Sequence, residues 1–135
     1  MEVNLMSAAE NKEIIRKMGE AKSLDAMLGV MADDIRWTLI GNTKFSGTFN
    51  GKKELLDRLI YPLFGLMESM GTGTTDNVVA EGDYVVIQTR GSGRRTKSGN
   101  DYNNTYCIVY RLADGKVKEV TEYCDTELIT AAFGR

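Results

Sequence analysis

The stretch YNNTYCIVYRLADGKVKEVTEYC, residues 102–124, decides the fold. Two runs rich in β-branched and aromatic residues, Tyr102–Leu112 and Lys116–Cys124, flank Ala113-Asp114-Gly115. Three loop residues with glycine last suit a type I turn closed by a bulge, the glycine taking the left-handed position. In that register Leu112 meets Lys116, Tyr110 meets Lys118, Ile108 meets Val120, Tyr106 meets Glu122 and Asn104 meets Cys124, all on one face. The opposite face, with Cys107, Val109, Arg111, Val117, Glu119 and Tyr123, is the more charged, so the first face is expected to be the covered one. A one-residue slip would exchange the two.

Two consequences follow from the hairpin. Cys107 and Cys124 fall on opposite faces, which argues against a disulfide between them. Glu122 falls among apolar neighbours opposite a tyrosine. Desolvation should raise its pKa, and a phenol could donate to it. A carboxylate so placed suits acid–base chemistry, although one solvated at the edge of the sheet or bridged to a basic side chain would not.

Outward from the hairpin, the first third of the chain reads helical. Ile14, Ile15, Met18 and Ala21, then Leu24, Met27, Leu28 and Met31, recur at helical spacing, with a break over Gly19–Ser23 and Ser23 as a cap. Ile35-Arg36-Trp37-Thr38-Leu39-Ile40 alternates as a strand with Ile35, Trp37 and Leu39 on one face. Gly41–Gly51 reads as a turn region, and Lys52–Met67 as a helix that Pro62 kinks or ends early. A weak strand over Met70–Ala80, a turn at Glu81-Gly82-Asp83 and a strong strand over Tyr84–Arg90 precede a polar loop. Asp125 caps a short last helix. Helices first and mostly antiparallel strands after are an α+β order, taken here as a single domain over residues 1–135.

The bulk composition narrows the chemistry. The 135 residues carry 17 basic and 19 acidic side chains, so no field favours nucleic acid or an anionic membrane. The basic cluster Arg94, Arg95 and Lys97 reads as a solvated loop tip. Two cysteines and no histidine leave no zinc site of the usual kinds and no histidine-dependent nucleophile. Acid–base work must then fall to carboxylate, Tyr, Lys or Cys. No run approaches the length of a membrane span. Met1–Glu20 lacks the apolar run of a secretory signal, so a cytoplasmic protein with reduced thiols is expected.

Ala32-Asp33-Asp34-Ile35-Arg36-Trp37 after a helix pair, Phe45-Ser46-Gly47-Thr48-Phe49-Asn50-Gly51-Lys52, and the hairpin ending Glu122-Tyr123-Cys124-Asp125 together resemble the SnoaL-like, ketosteroid-isomerase-like members of the nuclear-transport-factor-2 (NTF2-like) superfamily. The resemblance spans nearly the whole chain. It implies a cone-shaped sheet, curved and mostly antiparallel, wrapped around N-terminal helices with an apolar pocket inside. It also implies homodimers that pair through the outer sheet face. Ketosteroid isomerases place acids late in the first strand and on the penultimate strand, where this chain has Thr38-Leu39-Ile40 and Ile108. They place a tyrosine in the first helix, where Ile14 and Ile15 stand. The Asp-Arg-Asp set of limonene-epoxide-hydrolase-like members is matched by Glu122, with Thr89 and Gly91 at the other acid positions and Arg90 on the other face.

Two functions fit these residues. One is a cofactor-independent isomerase, cyclase or dehydratase acting on a small apolar metabolite, with Glu122 moving the proton and Tyr106 assisting. Trp37, Leu39, Thr89, Asn104, Ile108, Val120 and Cys124 would form the pocket, with no metal. The other is a ligand-binding or dimeric assembly module of the same fold, without turnover.

Overall fold

The computed structural model describes residues 6–135, so the first five residues of the N-terminal stretch read above lie outside it. Helix α1 (Ala8–Gly19) starts from a capping box in which Ser7 and Glu10 exchange side-chain-to-backbone bonds. Ser23 caps α2 (Leu24–Gly29) by accepting from the Ala26 N–H. Strand β1 (Met31–Leu39) follows, with Ile35 and Leu39 buried.

The segment read as a glycine-rich turn holds a further strand, β2 (Gly47–Asn50), antiparallel to β1 with Trp37 opposite Phe49. Four residues give too short an alternation to register as a strand; β1 supplies the partner that makes them one. The next helix changes its winding: α3 (Lys52–Leu55) runs into a π-helical turn (Leu56–Ile60) and then α4 (Tyr61–Gly65). Pro62 has no N–H for the carbonyl four residues before it. The ladder widens there, and the Tyr61 N–H reaches the Leu56 carbonyl instead.

Strands β4 (Thr72–Glu81), β5 (Tyr84–Ser92), β7 (Thr105–Ala113) and β8 (Lys116–Cys124) complete a six-stranded sheet in the order β2-β1-β8-β7-β5-β4. Among the described strands, only β1 and β8 run parallel. Two short strands, β3 (Met67–Ser69) and β6 (Arg95–Thr96), pair apart from it. Helix α5 (Thr126–Phe133) begins at Asp125, whose carboxylate accepts from the Leu128 N–H. Its Phe133 meets Phe45 and Tyr102 edge to face at 5.1 and 4.7 Å between ring centres. The chain is thus α+β, with N-terminal helices and a curved, mostly antiparallel sheet.

The hairpin register differs from the expected one in an instructive way. Ala113 pairs with Lys116, leaving a two-residue turn in which Asp114 and Gly115 both have positive φ, 53° and 76°. That is the turn whose twist matches a β-hairpin. The bulge lies further in, between Arg111 and Leu112 on one strand, opposite the step from Val117 to Glu119 on the other. Beyond it, Tyr110 faces Val120, Ile108 faces Glu122 and Tyr106 faces Cys124. The expected partners are displaced by two residues, so Glu122 keeps its face but stands opposite Ile108 rather than Tyr106. Val117, expected on the outer face, is turned inward by the bulge and completely buried against Leu112. Lys118, expected under the helices, instead reaches Asp34 at 2.6 Å.

Replacing Gly115 with alanine forces a side chain into the left-handed region and should lower unfolding stability by about 1–2 kcal/mol, read as a shift in urea midpoint with unchanged slope. An unchanged midpoint would contradict the positive-φ turn.

Candidate active site

Between the concave face of the sheet and α4 lies a cavity of about 250 Å³. Leu63, Phe64, Met67, Met70 and Ile108 give it hydrophobic walls, and Trp37, Tyr102 and Tyr106 add aromatic ones. The polar residues among its lining are Glu122, Arg94 and Thr89, beside the two tyrosines. Each comes from a different part of the chain: Trp37 from β1, Glu122 from β8, Tyr106 and Ile108 from β7, Thr89 from β5. The parallel pairing of β1 with β8 aligns Trp37 with Val120 and Leu39 with Glu122, bringing the indole beside the carboxylate.

The Trp37 indole N–H donates to Glu122 Oε1 at 3.0 Å. The other carboxylate oxygen has no hydrogen-bond partner among the described residues, and the side chain borders the cavity. The side chain is partly buried, and the resulting desolvation pushes its pKa above the ordinary carboxylate value. The indole donor and the positive charge of Arg94 pull the other way and do not reverse the shift. Burial likewise drives the Tyr106 phenol far above its usual range, with the neighbouring Tyr102 hydroxyl adding to the effect. Tyr106 therefore stays protonated at every pH the protein meets and is a standing hydrogen-bond donor. It does not bond to Glu122; the carboxylate's donor is Trp37.

The residues named from the sequence separate into three groups in space. Glu122, Tyr106, Trp37, Thr89 and Ile108 meet at the cavity, although the Thr89 hydroxyl is engaged in donating to the Thr74 carbonyl at 2.9 Å. Leu39 and Val120 are packed beneath it in the core. Asn104 and Cys124 stand apart. Asn104 is completely buried, and all of its bonding capacity is used within the protein: Oδ1 accepts from the Thr105 and Asp125 N–H groups, and Nδ2 donates to the Asp125 carbonyl and the Tyr102 hydroxyl. It ties the start of β7 to the end of β8 and anchors Tyr102. Cys124 borders a separate groove, and burial with the nearby Glu122 and Asp125 charges pushes its thiol up to about 12.

Arg94, expected at a solvated loop tip, lines the cavity instead. Its neighbour Arg95 does stay outside, beside Asp101 at 3.3 Å. Arg90 lies on the outer face, paired with Asp76 at 3.1 Å. Among the described residues, no three His, Cys, Asp or Glu side chains converge as a metal site requires, and no helix is long and apolar enough to cross a membrane.

The model of the SnoaL-like domain matches residues 15–120. No curated protein matches the sequence. Among solved structures, an NTF2-like protein of unknown function from Burkholderia pseudomallei superposes with a TM-score of 0.81 at 20% identity, over 93% of this chain and 98% of that one. TerC, co-crystallized with polyporic acid, superposes with a TM-score of 0.77 at 18% identity, over 91% and 97%. A candidate SnoaL-like polyketide cyclase from Jannaschia sp. CCS1 superposes with a TM-score of 0.69 at 19% identity, over 99% and 98%.

The raised pKa of Glu122 has a signature in stability. The folded state holds this proton more tightly than the unfolded chain does. Its contribution is therefore full below the unfolded value, near 4.5, and is lost as pH rises through the higher folded value. Glu122→Gln escapes that loss. Relative to the native protein, the variant's melting temperature should climb as pH rises from about 4.5 and level off above the folded pKa. A difference that stays constant across that range would contradict the buried, desolvated carboxylate.

Proposed function

The chain belongs to the SnoaL-like domain family, and on that footing we propose that residues 1–135 form one domain that catalyses proton transfer on a small, mostly apolar metabolite. The reaction is of the isomerase, cyclase or dehydratase kind, with Glu122 as the acid–base group. The observation that carries this reading is the state of the carboxylate: one oxygen is held by the Trp37 indole, the other is left toward the cavity, and desolvation raises its affinity for a proton. A carboxylate tuned upward takes a proton from a weakly acidic carbon and holds it long enough to return it. Tyr106, kept neutral by burial, supplies an O–H to an oxygen that gains charge as the proton leaves. The step calls for neither metal nor organic cofactor. The TerC complex, in which a protein of this shape was co-crystallized with polyporic acid, supports a small organic molecule as the occupant.

Native mass spectrometry of the purified protein, followed by extraction, identifies what it carries. Against that molecule, Glu122→Gln should lower turnover by about 10²- to 10⁴-fold while leaving affinity within a few-fold. Equal turnover by both proteins would remove Glu122 from the chemistry. A ligand bound by both and converted by neither would make the protein a carrier.

The outer sheet face leaves Tyr123 and Val79 exposed, with Cys107 and Val109 beside them only partly covered. We place a homodimer contact there. Light scattering at micromolar concentration should give twice the 15.0 kDa subunit mass, and Tyr123→Lys should return it to the monomer value. A monomeric native protein would rule the contact out.

A further inference from the structure

Arg94 is the most unusual side chain in the cavity. Its backbone is fixed on both sides, the N–H donating to Asn103 Oδ1 and the carbonyl accepting from the Tyr102 N–H, each at 2.9 Å. Gly93, with φ of 67°, makes the reversal that sends the side chain inward. The side chain then lies across two glycines that face each other on adjacent strands, Gly73 of β4 and Gly91 of β5. A Cβ added to Gly91 would sit 2.9 Å from both Cδ and Nε of Arg94, and one added to Gly73 would sit 3.3 Å from Nη2. Neither glycine has the positive φ that a turn would demand. Their missing side chains serve to make a shelf for the guanidinium.

That guanidinium has no partner among the described residues. Nε is buried without an acceptor, and no carboxylate lies within ion-pairing distance. Glu122 borders the same cavity without pairing with it. Holding a cation on a prepared shelf, with its Nε buried and unpaired, costs stability that a folding role would not require. A ligand's oxygen atoms would satisfy it through the two parallel N–H groups that match an oxyanion.

We propose that Arg94, seated on the Gly73–Gly91 shelf, is an oxyanion-recognition residue, and that the cavity takes an organic acid: a compact apolar or aromatic body carrying a carboxylate or ionised enol oxygen. This deepens the proposed function by naming its substrate class, and rests on the same cavity. The volume, about 250 Å³, lies below the roughly 300–1,000 Å³ range of drug-sized sites and suits one or two rings. The acid group docks on Arg94 beneath the mouth, and the apolar body lies against Leu63, Met67 and Ile108, on the way to Glu122.

Paired probes that differ only in charge test this: benzoate against benzamide, and 2-naphthoate against 2-naphthamide, titrated calorimetrically at neutral pH. At least one acid should bind the native protein about tenfold or more tightly than its amide. Arg94→Met and Gly91→Ala should each erase that preference, the first by removing the charge and the second by displacing it. Arg94→Met should also melt no lower than the native protein, because it removes an unpartnered cation; a structural arginine would give the opposite sign. Equal binding of acid and amide, no binding of any acid, or a preference that survives both substitutions would overturn the proposal. These titrations need no turnover. A preserved acid preference with unaffected catalysis in Glu122→Gln would leave this site standing while removing the proposed reaction, and the reverse pattern would do the opposite.

Discussion

The alignment of β8 between β7 and β1 is the constraint on which the rest of the molecule depends. β8 joins the one parallel pairing of the described sheet, with β1, to the antiparallel hairpin with β7. A shift of one residue would send Glu122 to the outer face and bring Thr121 or Tyr123 inward. Two devices fix the alignment. The Asp114–Gly115 turn sets where the strands begin to pair, and the bulge beside Leu112 inserts one residue so that Val117 and Val120 both face the core. With that settled, Trp37 has no choice of partner: β1 carries its indole to Glu122.

The cavity is built from opposed electrostatic costs. Carboxylate and guanidinium share one mostly hydrophobic enclosure without contact. The carboxylate is worse off there than in water, and the guanidinium reaches it only through space. Had they met, they would have cancelled into a buried ion pair, and neither would be open to a third group. Asn104 illustrates the contrary arrangement. It is as buried as any residue, yet fully satisfied, so it locks the strand ends and contributes rigidity rather than chemistry.

Much of the fold was legible because it is written in short-range alternation. Tyr106, Ile108 and Tyr110 alternate cleanly, as do Ile35, Trp37 and Leu39, and both sets lie inside. The hairpin faces survived a mistaken register because the displacement was even, two residues rather than one. What could not be read was whatever another segment decides. Gly47–Asn50 becomes a strand only beside β1. Val117 turns inward only because of a bulge no local pattern announces. Arg94 looks like a loop cation because the shelf beneath it is assembled across β4 and β5. The one available signal was Gly73 and Gly91, two glycines placed where no turn needs them, and it becomes visible only once their pairing is known. Asn104 was legible as a polar residue on the covered side, but its satisfaction by Asp125, 21 residues away, was not.

The high proton affinity of Tyr102 and Tyr106 has a stereochemical consequence. With both phenols held in the neutral form, Glu122 is, among the described residues, the one carboxylate that borders the cavity. On the proposed reading, a proton that Glu122 removes from a bound molecule and itself restores returns from the side on which Glu122 stands, so a migration of hydrogen would proceed across a single face and preserve part of an isotopic label from one carbon to the next.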